Sequence, residues 1–399
     1  MKIAVITQNF PVREAPYQGH SVYQTVLRMA ALEDVKVFSP HTRYLNLIKP
    51  QNRTWIEVDV SYDPGGVDTQ YLNYAAIAGL TRPINGYVCA SAVLPLLKRS
   101  RPDVILSYWI YPDGFAAVKI GRNLGVPVIV KTIGSDLNQR LDPVSKFLTM
   151  RVLKTADTVL TVSEALRQAV LKNGIAPERV QTIRNGCDTS VFHPGDMAEA
   201  RRQLGVAADD FVVLYVGRFD VAKGLLELVE AVAALSRELP SARLALIGSG
   251  SAQDEITNAA KEKGIFSRVT VVGPSRSQHV SNWMRAANVF ALPSYREGCP
   301  NVVIEALSCG LPLVATNVGG IPELVDEQCS ILVPPQNATQ LTAALGAAQR
   351  RTWDKPAIAM RLKRSWEQVA SETLDACRAA IAARSKAFES SFAHPAVLQ

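Results

Sequence analysis

Short apolar runs alternate with amphipathic segments of helix length along most of the chain. Strands of a parallel sheet are buried on both faces and are therefore near-continuous apolar runs, joined by helices. In the first half, strands are predicted at Lys2–Thr7, Val35–Phe38, Val104–Ser107, Val128–Thr132, Thr158–Val162 and Val180–Ile183. Helices are predicted at Ser21–Leu32, Ala90–Ser100, Phe115–Leu124 and Ser163–Asn173, with Ser163 as an N-cap. The alternation is typical of a doubly wound α/β domain.

A polar stretch from Thr189 to Asp210 contains no predicted strand, and we place a linker there. The alternation then resumes. Strands are predicted at Phe211–Val216, Arg243–Ile247, Val269–Val272, Val289–Ala291, Leu313–Ala315 and Ser330–Val333. Helices are predicted at Gly224–Arg237, Ala252–Lys263, Gln278–Ala287, Asn301–Cys309, Ile321–Val325 and Ala338–Arg350. A helical pattern over 356–385 follows, and Ala380–Gln399 is predicted to be a weakly structured tail.

The pattern predicts two Rossmann-like domains, residues 1–190 and residues 191–375. Residues 376–399 are predicted to form the end of the last helix and a tail that returns to the first domain. Parallel α/β sheets bind ligands at the carboxyl ends of their strands. Two such domains facing each other would place a site in a central cleft.

The composition narrows the class of protein. The 399 residues are 48% apolar and 20% charged, which excludes disordered and fibrous classes. The apolar runs are far shorter than the ~20 residues of a membrane-spanning helix. The N-terminal sequence MKIAVITQNF lacks the features of a signal peptide. The six cysteines show no Cys-x-x-Cys pair and no nearby His at metal spacing, so we expect free thiols, a reducing cytosol and no metal site.

The segment SYREGCPNVVIEALSCGLP, residues 294–312, carries paired carboxylates. Glu297 precedes a turn, and Glu305 lies inside the helix that this turn opens. Backbone amides at a helix N-terminus bind anions, while carboxylates accept hydrogen bonds from hydroxyls. The residues of the turn and helix start are Gly298, Cys299, Pro300 and Asn301. Taken alone, Glu297 is better explained as a capping or surface charge. The whole pattern reverses this and favours a ligand with both phosphates and sugar hydroxyls.

The segment FVVLYVGRFDVAKGLLELVEAV, residues 211–232, brings two cations close to a helix start. Its strand ends at Gly217 and Arg218, and Lys223 stands immediately before the helix. Arg supplies a planar fork and Lys a point charge, which together suit a diphosphate. The alternative is an ordinary solvated loop.

The loop after the first strand, residues 8–24, leads into the first helix. Gly19 at the helix start allows a phosphate to approach the backbone closely, although glycine is also ordinary turn chemistry there. His20 is either a ligand contact or a helix-terminal histidine.

Two further segments, SYWIYPDGF at 107–115 and VKTIGSDLN at 130–138, follow predicted strand ends. Asp136 stands where a carboxylate that contacts an acceptor would lie, with Gly134 and Ser135 shaping the turn. The alternative is an aspartate that caps a helix or closes an Asx-turn.

Four motifs follow one another in order: Asn185-Gly186-x-Asp188…Phe192-x-Pro194, Gly217-Arg218…Lys223-Gly224, Glu297-Gly-x-Pro…Glu305-Ala and Gly319-Gly320-Ile-Pro-Glu323. In this combination they resemble the motifs of the family 4 retaining glycosyltransferases, which have the GT-B fold. The resemblance covers nearly the whole chain. Within the family, the chain looks most like bacterial enzymes of cell-surface polysaccharide assembly, including transferases of the teichuronic-acid type.

The resemblance implies that a nucleotide-diphosphate sugar, UDP- or GDP-linked, is the donor and that a hexosyl group passes with retention to a glycan or lipid-linked acceptor. It places Arg218 and Lys223 on the diphosphate. It places Glu305 on the ribose and Glu297 on the donor sugar, with the amides around Cys299–Asn301 holding the sugar and phosphate.

The resemblance also implies that Gly19 lies over the diphosphate and that the loop around Gly273–Ser275 selects the base. Catalysis without a divalent metal is expected. The sequence agrees, because it has no Asp-x-Asp triple and because Arg218 and Lys223 can neutralise the charge of the leaving group.

One position departs from the family pattern. Many relatives carry a His before the Gly134-Ser135-Asp136 turn, near the reacting carbon, and this chain has Ile133. Asp136 or His20 is expected to take part of that role. Front-face transfer, in which the departing phosphate accepts the acceptor's proton, does not require a protein base.

Other functions fit less well. A nucleotide-sugar epimerase would bind the same donor but needs histidines near the sugar ring, and the five histidines are poorly placed for that. A dinucleotide oxidoreductase is suggested by Gly248-Ser-Gly250, but the third glycine of its fingerprint is replaced by Gln253. A nucleic-acid binder would need aromatic residues interleaved with the basic ones, and no such face is found.

The excess of basic residues lies in the first half. Residues 1–187 hold 22 Lys and Arg against 14 Asp and Glu, and the remainder holds 21 against 22. Basic residues stand beside apolar ones at Arg43–Arg53 and Val93–Arg101, which suits contact with an anionic membrane leaflet. The alternative is a solvated basic face. We therefore expect a cytoplasmic protein, peripheral on the inner face of the cell membrane.

Overall fold

The computed structural model describes residues 1–44, 58–77, 81–138 and 142–393. The chain divides into two compact units: Met1–Asn185 together with the chain from Trp366 onward, and Gly186–Ser365. The structure thus differs from the predicted boundaries. The first division lies before residue 190, and the chain returns to the first unit at Trp366 rather than at 376.

The first unit contains a seven-stranded sheet of order β3-β2-β1-β4-β5-β6-β7 in its described part, with all neighbours parallel. The strands are β1 Lys2–Ile6, β2 Asp34–Tyr44, β3 Asp68–Ala76, β4 Val104–Tyr108, β5 Val128–Thr132, β6 Thr158–Thr161 and β7 Val180–Thr182. The central strands β4 and β5 are buried along their whole length. This burial on both faces explains their continuous apolar sequences.

Helices connect the strands of the first unit. They are α1 His20–Ala30, α2 Asn85–Ser100, α3 Phe115–Leu124, α4 Ser135–Asn138, α5 Pro143–Thr155 and α6 Glu164–Leu171. Ser163 is the N-cap of α6, as predicted, and its side chain accepts a hydrogen bond from the amide of Leu166.

The described residues of the first unit form two apolar cores. One contains residues of α2, α3 and α5, and the other contains residues of α1 and of the C-terminal helix, Trp366–Ala393. Trp366 is 1% exposed and is the largest of the fully buried side chains. The helix that begins at Trp366 therefore packs into the same core as α1.

The second unit contains a six-stranded parallel sheet of order β10-β9-β8-β11-β12-β13. The strands are β8 Phe211–Val216, β9 Ala242–Ile247, β10 Val269–Val271, β11 Val289–Leu292, β12 Leu313–Thr316 and β13 Ser330–Val333. The helices that follow α6 are α7 Met197–Leu204, α8 Leu225–Glu238, α9 Gln253–Glu262, α10 Ser277–Ala286, α11 Asn301–Ser308, α12 Ala338–Arg350, α13 Lys355–Arg361 and α14 Trp366–Ala393. The prediction of two doubly wound parallel domains is confirmed.

The stretch predicted as a linker is part of the second unit. It contains α7, whose N-cap Asp196 accepts a hydrogen bond from the amide of Glu199. Arg201 is 5% exposed and donates hydrogen bonds to the carbonyl of Ala286 and to the side chain of Asn288. α7 was not predicted, because its sequence is polar and its packing depends on a buried arginine.

Three other predictions differ from the structure. β3 was not predicted, because its sequence DTQYLNYAA is largely polar and its buried residues, Tyr71, Tyr74 and Ala76, do not follow a strict alternation. Ile321–Glu323 forms a single turn of 3-10 helix instead of an α-helix. The tail predicted from Ala380 is helical as far as Ala393, and the remaining residues lie outside the described part.

All six cysteines are buried, free thiols. In the described part of the chain, no three His, Cys, Asp or Glu side chains are grouped closely enough to hold a metal ion. A search of the same residues finds no helix with the length and apolar character needed to cross a bilayer.

The position of Trp366 leads to a stability prediction. Trp366→Ala should lower the free energy of unfolding by about 3–5 kcal/mol, because the substitution leaves a large cavity. The half-buried Trp353 of the second unit is the matched control, and Trp353→Ala should cost less. Urea unfolding of both variants measures the difference. Equal losses would show that α14 does not complete the core.

Candidate functional site

Loops that follow three neighbouring strands of the second unit meet at one edge of its sheet. β8 pairs with β11, and β11 pairs with β12, all parallel. The carboxyl ends of these strands therefore lie side by side, as the position of ligand sites in parallel sheets requires.

The loop after β8 presents Arg218 to solvent. The hydroxyl of Tyr215 donates a hydrogen bond to the carbonyl oxygen of Arg218 at 2.9 Å, and Phe219 is fully buried. Gly248, from the loop after β9, has φ +135°, and a β-carbon there would collide with the carbonyl oxygen of Gly217. The backbone on both sides of Arg218 is thus held while its side chain is exposed.

Lys223 lies at the end of a short 3-10 turn, Val221–Lys223, that is capped by Asp220. Gly224 follows with φ +67°, and a β-carbon on it would collide with the carbonyl oxygen of Pro293. The amide of Tyr295 donates to the carbonyl of Ala222 at 2.9 Å. These contacts pack the loop after β8 directly against the loop after β11.

An ion pair joins the two loops. Lys223 Nζ lies 2.7 Å from Glu297 Oε1, and the two side chains are 21% and 11% exposed. Gly319, with φ +55°, lies so close to the carbonyl of Glu297 that only glycine fits, and the amide of Gly320 donates to the carbonyl of Gly298. Charge-assisted hydrogen bonds are strongest where water is scarce. The site therefore offers a cation and a carboxylate in fixed positions.

Glu305 lies in α11, one helix turn from the start of that helix. Burial raises its pKa to about 7. Within the described residues its carboxylate accepts no hydrogen bond, so nothing opposes this effect of burial. A ligand that donates hydroxyl hydrogen bonds would supply the missing partners.

The remaining predicted residues of the second unit are placed around this edge. Pro300 is the N-cap residue of α11, Cys299 is 9% exposed, and Asn301 is the first residue of the helix. Gly273 follows β10 with φ +75°, and its carbonyl accepts a hydrogen bond from the amide of Gly248. The structure thus brings the predicted residues of the second unit to the ends of β8, β10 and β11.

In the first unit, Gly19 is the N-cap residue of α1. It has φ +61°, and a β-carbon there would collide with the carbonyl oxygen of Asn9. The loop after β1 therefore folds back on itself at Gly19. The side chain of Gln18 strengthens this fold by donating to the carbonyl of Gln8 at 3.0 Å.

Asp136 is 4% exposed, and its carboxylate is surrounded by donors. These donors are the Thr132 hydroxyl at 2.7 Å and the amides of Ile110, Ile133 and Gly134 at 3.1, 3.2 and 3.0 Å. Burial nevertheless raises its pKa. The contacts are those of an aspartate that closes a turn, and its contact with an acceptor stays a prediction.

Sequence reasoning did not single out Asp113. Its side chain is fully buried, and Oδ2 accepts a hydrogen bond from the amide of Gln8 at 2.8 Å, which ties the loop after β1 to the loop after β4. Burial raises its pKa well above the usual range. The sequence signal was present, since Asp113 stands in a Pro-Asp-Gly turn directly after a buried strand.

A second overlooked pair lies beside Lys223. The hydroxyl of Tyr295 donates to Glu227 Oε1 at 2.5 Å, and this contact joins the loop after β11 to the first turn of α8. Burial raises the pKa of Tyr295 to about 12. No sequence spacing links these two residues, which come together only through the fold.

Two protein-family models match most of the chain. One, described as a glycosyl transferase 4-like domain, matches residues 18–186. The other, described as glycosyl transferases group 1, matches residues 210–349 and so includes the whole edge built by β8, β11 and β12. The chain belongs to the group 1 glycosyltransferases. The predicted family is thereby confirmed.

Known proteins of this group support the same conclusion. A putative teichuronic acid biosynthesis glycosyltransferase of Bacillus subtilis is 29% identical over 371 residues, covering 90% of this chain and 92% of that protein. A D-inositol 3-phosphate glycosyltransferase of Mycobacteroides abscessus is 32% identical, over 69% of this chain and 65% of the relative. The solved structure of Anabaena HepE in complex with UDP has a TM-score of 0.75 at 18% identity and covers 95% of this chain and all of that one. These likenesses confirm the GT-B fold.

The environment of Glu305 predicts an unusual pH dependence of stability. Its pKa rises from 4.5 when unfolded to about 7 when folded, so the native state binds the proton more tightly and loses stability as the pH rises through that interval. Glu305→Gln mimics the protonated form. It should therefore be more stable than the wild type by about 1–3 kcal/mol near pH 8 and equally stable near pH 4.

Urea unfolding at both pH values measures this difference. Glu262→Gln, at an exposed position of α9, is the control and should show no such change with pH. A Glu305→Gln variant that is less stable than the wild type near pH 8 would contradict the assigned burial effect.

Proposed function

We propose that this glycosyltransferase transfers a hexosyl group, with retention of configuration and without a metal ion, from a UDP- or GDP-sugar to a glycan or lipid-linked acceptor in bacterial cell-surface polysaccharide synthesis. The observation that carries the proposal is the grouping of Arg218, Lys223 and Glu297 on adjoining loops, with Glu305 in the helix that follows. The teichuronic acid relative supports the class of product, and the UDP complex of HepE supports the class of donor.

The donor diphosphate is assigned to Arg218 and Lys223. Arg218 is exposed on a loop whose backbone is held by Tyr215, so its fork is available for two phosphate oxygens. Lys223 has three donors and engages Glu297 with one, which leaves donors for a phosphate. The two cations would together stabilise the negative charge that develops on the departing nucleotide.

The two glutamates are assigned to the hydroxyl groups of the donor. Glu297 uses one carboxylate oxygen on Lys223, and its second oxygen is free to accept from a sugar hydroxyl. Glu305 would accept from the ribose hydroxyls in its ionised form. The site would therefore bind the phosphates through cations and both sugar rings through carboxylates.

Retention is explained by transfer on one face of the sugar. The departing phosphate takes the proton of the acceptor hydroxyl as the new glycosidic bond forms, so no protein base is needed. This fits Ile133, where many relatives have a histidine, and it fits Asp136, whose carboxylate oxygens are occupied by the turn. Asp136 then acts by shaping the turn that faces the acceptor. Both family models that match the chain are glycosyltransferase models, and neither supports an epimerase.

We also propose that the protein is cytoplasmic and contacts the inner membrane face through its basic first unit. Of the two stretches chosen from sequence, Arg43–Arg53 lies mostly outside the described residues. In Val93–Arg101, the apolar Val93 and Leu97 are buried in the core. The three cations of that stretch, Lys98, Arg99 and Arg101, are exposed, and Pro95 is its one exposed apolar residue. This end of α2 therefore contributes mainly charge, and most of the apolar part of a membrane contact must come from other residues.

A donor screen tests the proposed chemistry. UDP-, GDP- and ADP-sugars are added to the wild type in a thermal-shift assay, and at least one of the UDP- or GDP-sugars should raise the melting temperature. Stabilisation by none of them would overturn the proposal.

Two substitutions locate the site. Glu305→Ala should weaken nucleotide binding about 10–100-fold through the loss of hydroxyl hydrogen bonds, and calorimetry measures this affinity.

Lys223→Ala should lower kcat about 10²–10³-fold, because the developing charge on the departing nucleotide loses a stabilising cation. Glu262→Ala is the control for both. Unchanged nucleotide affinity in Glu305→Ala would show that the ribose site is misassigned.

A further inference from the structure

A pocket of 320 Å³ opens between α2, α3 and α5 of the first unit. Its lining includes Tyr87 of α2, Phe115, Lys119 and Arg122 of α3, and Arg151 and Val152 of α5. None of these residues belongs to the loops that hold Gly19 or Asp136. The proposed transfer reaction therefore assigns it no role.

The pocket combines an apolar wall with three cations. Phe115 and Val152 are buried in the core below it, whereas Lys119, Arg122 and Arg151 are exposed. None of the described lining residues is acidic, and these three cations form no ion pair with any described residue. A pocket with several unneutralised cations attracts anions.

An aromatic pair gives the pocket a defined shape. The rings of Tyr87 and Phe115 are 4.7 Å apart between centroids, and Lys119 Nζ lies 5.3 Å from the centroid of Tyr87. The ring of Tyr87 thus orders one cation beside the apolar wall. An occupant that suits both must carry a negative group and an apolar part.

Exposed apolar side chains also lie on α5 and at the start of α2, two of the helices that line the pocket. Ile84, Tyr87, Val144 and Phe147 are 52%, 42%, 51% and 63% exposed. On α5, Phe147 precedes Arg151 by four residues, and Val144 precedes it by seven, so all three lie on one face of the helix. Ile84 is the N-cap residue of α2, and Tyr87 lies in the first turn of that helix. We call these four residues the apolar collar.

We propose that the pocket and the apolar collar dock the protein on an anionic lipid bilayer, with a lipid headgroup phosphate held by Lys119, Arg122 and Arg151 and the collar inserted at the boundary between headgroups and acyl chains. The proposal deepens the peripheral membrane contact proposed above. The collar supplies the apolar part that Val93 and Leu97 cannot supply. A bilayer matches the observations better than a soluble phosphate, because a soluble anion would leave the collar exposed to water.

The position of the docking surface also accounts for the basic residues at the end of α2. Lys98 follows Tyr87 by eleven residues, close to three helix turns, and so lies on the same face of α2 as the pocket. The basic residues at the end of α2 would then face the same leaflet as the pocket. Each Lys or Arg near an anionic surface contributes about 1 kcal/mol to binding.

Vesicle flotation of the full chain tests the proposal. The vesicles contain phosphatidylcholine alone, or phosphatidylcholine and phosphatidylglycerol in equal parts. The wild type should float with the anionic vesicles only. The Arg122→Ala, Arg151→Ala double variant should partition about 30-fold more weakly, which corresponds to about 2 kcal/mol for two cations.

The matched control removes two exposed cations elsewhere. Lys172→Ala, Lys363→Ala has the same net charge as the pocket variant and should bind the anionic vesicles nearly as well as the wild type. An equal loss of vesicle binding in both double variants would contradict the role of the pocket, because it would show that net charge alone attracts the protein to the vesicles. Equal binding of the wild type to both kinds of vesicle would overturn the docking itself.

Insertion of the collar is measured separately from charge. In Phe147→Trp, brominated acyl chains in anionic vesicles should quench fluorescence more than in the wild type, because the new indole reaches the acyl boundary. Val221→Trp, at an exposed position of the second unit, is the control and should show no added quenching. No difference between these two variants would overturn insertion of α5.

The same variants separate this proposal from the proposed transfer. Binding of the nucleotide-sugar identified in the donor screen is measured by calorimetry without vesicles. It should be unchanged in Arg122→Ala, Arg151→Ala, and the melting temperature should also be unchanged because both side chains are exposed. Vesicle binding that persists while no nucleotide binds would contradict the transfer reaction and leave the docking surface intact.

Discussion

The ion pair between Lys223 and Glu297 is the contact on which the candidate site depends. Two charges that are mostly removed from water stabilise the fold only if they remain close together, and removing one would leave the other buried and unpaired. The pair stays close because the loop after β11 packs against the loop after β8 at Gly224 and against the loop after β12 at Gly319, where a side chain would collide with a backbone carbonyl. Because Gly224 and Gly319 have no side chain, the loops pack closely enough to hold the side chains of Lys223 and Glu297 together.

The site also contains a group that works against the stability of the protein. Glu305 is held where burial favours its neutral form, and no described residue compensates. A carboxylate that lacks protein partners is an available acceptor for ligand hydroxyls, so the same burial that costs stability in the free protein favours binding. The buried carboxylates of the first unit differ from Glu305, because they accept hydrogen bonds from protein groups. Asp136 is surrounded by donors and serves its own turn, and Asp113 holds the loop after β1 through the amide of Gln8.

Sequence patterns were informative where local chemistry decides the structure. Buried parallel strands must be apolar along their length, so β4, β5 and β8 were predicted closely, and Ser163 was recognisable as a cap because its hydroxyl satisfies a helix amide. The patterns failed where distant contacts decide. α7 has a polar sequence, and what holds it is the burial of Arg201 against the carbonyl of Ala286, far along the chain.

The sequence by itself determined the two doubly wound units, the family and the residues gathered at the ends of β8 and β11, because periodicity, glycine positions and charged residue types are local properties. Only the tertiary structure decided that Lys223 pairs with Glu297, that the chain returns at Trp366 to finish its first core, and that three cations share a pocket with exposed apolar residues. These facts depend on which surfaces meet when helices and strands pack. A pattern along one segment contains no information about the surface that a distant segment brings against it.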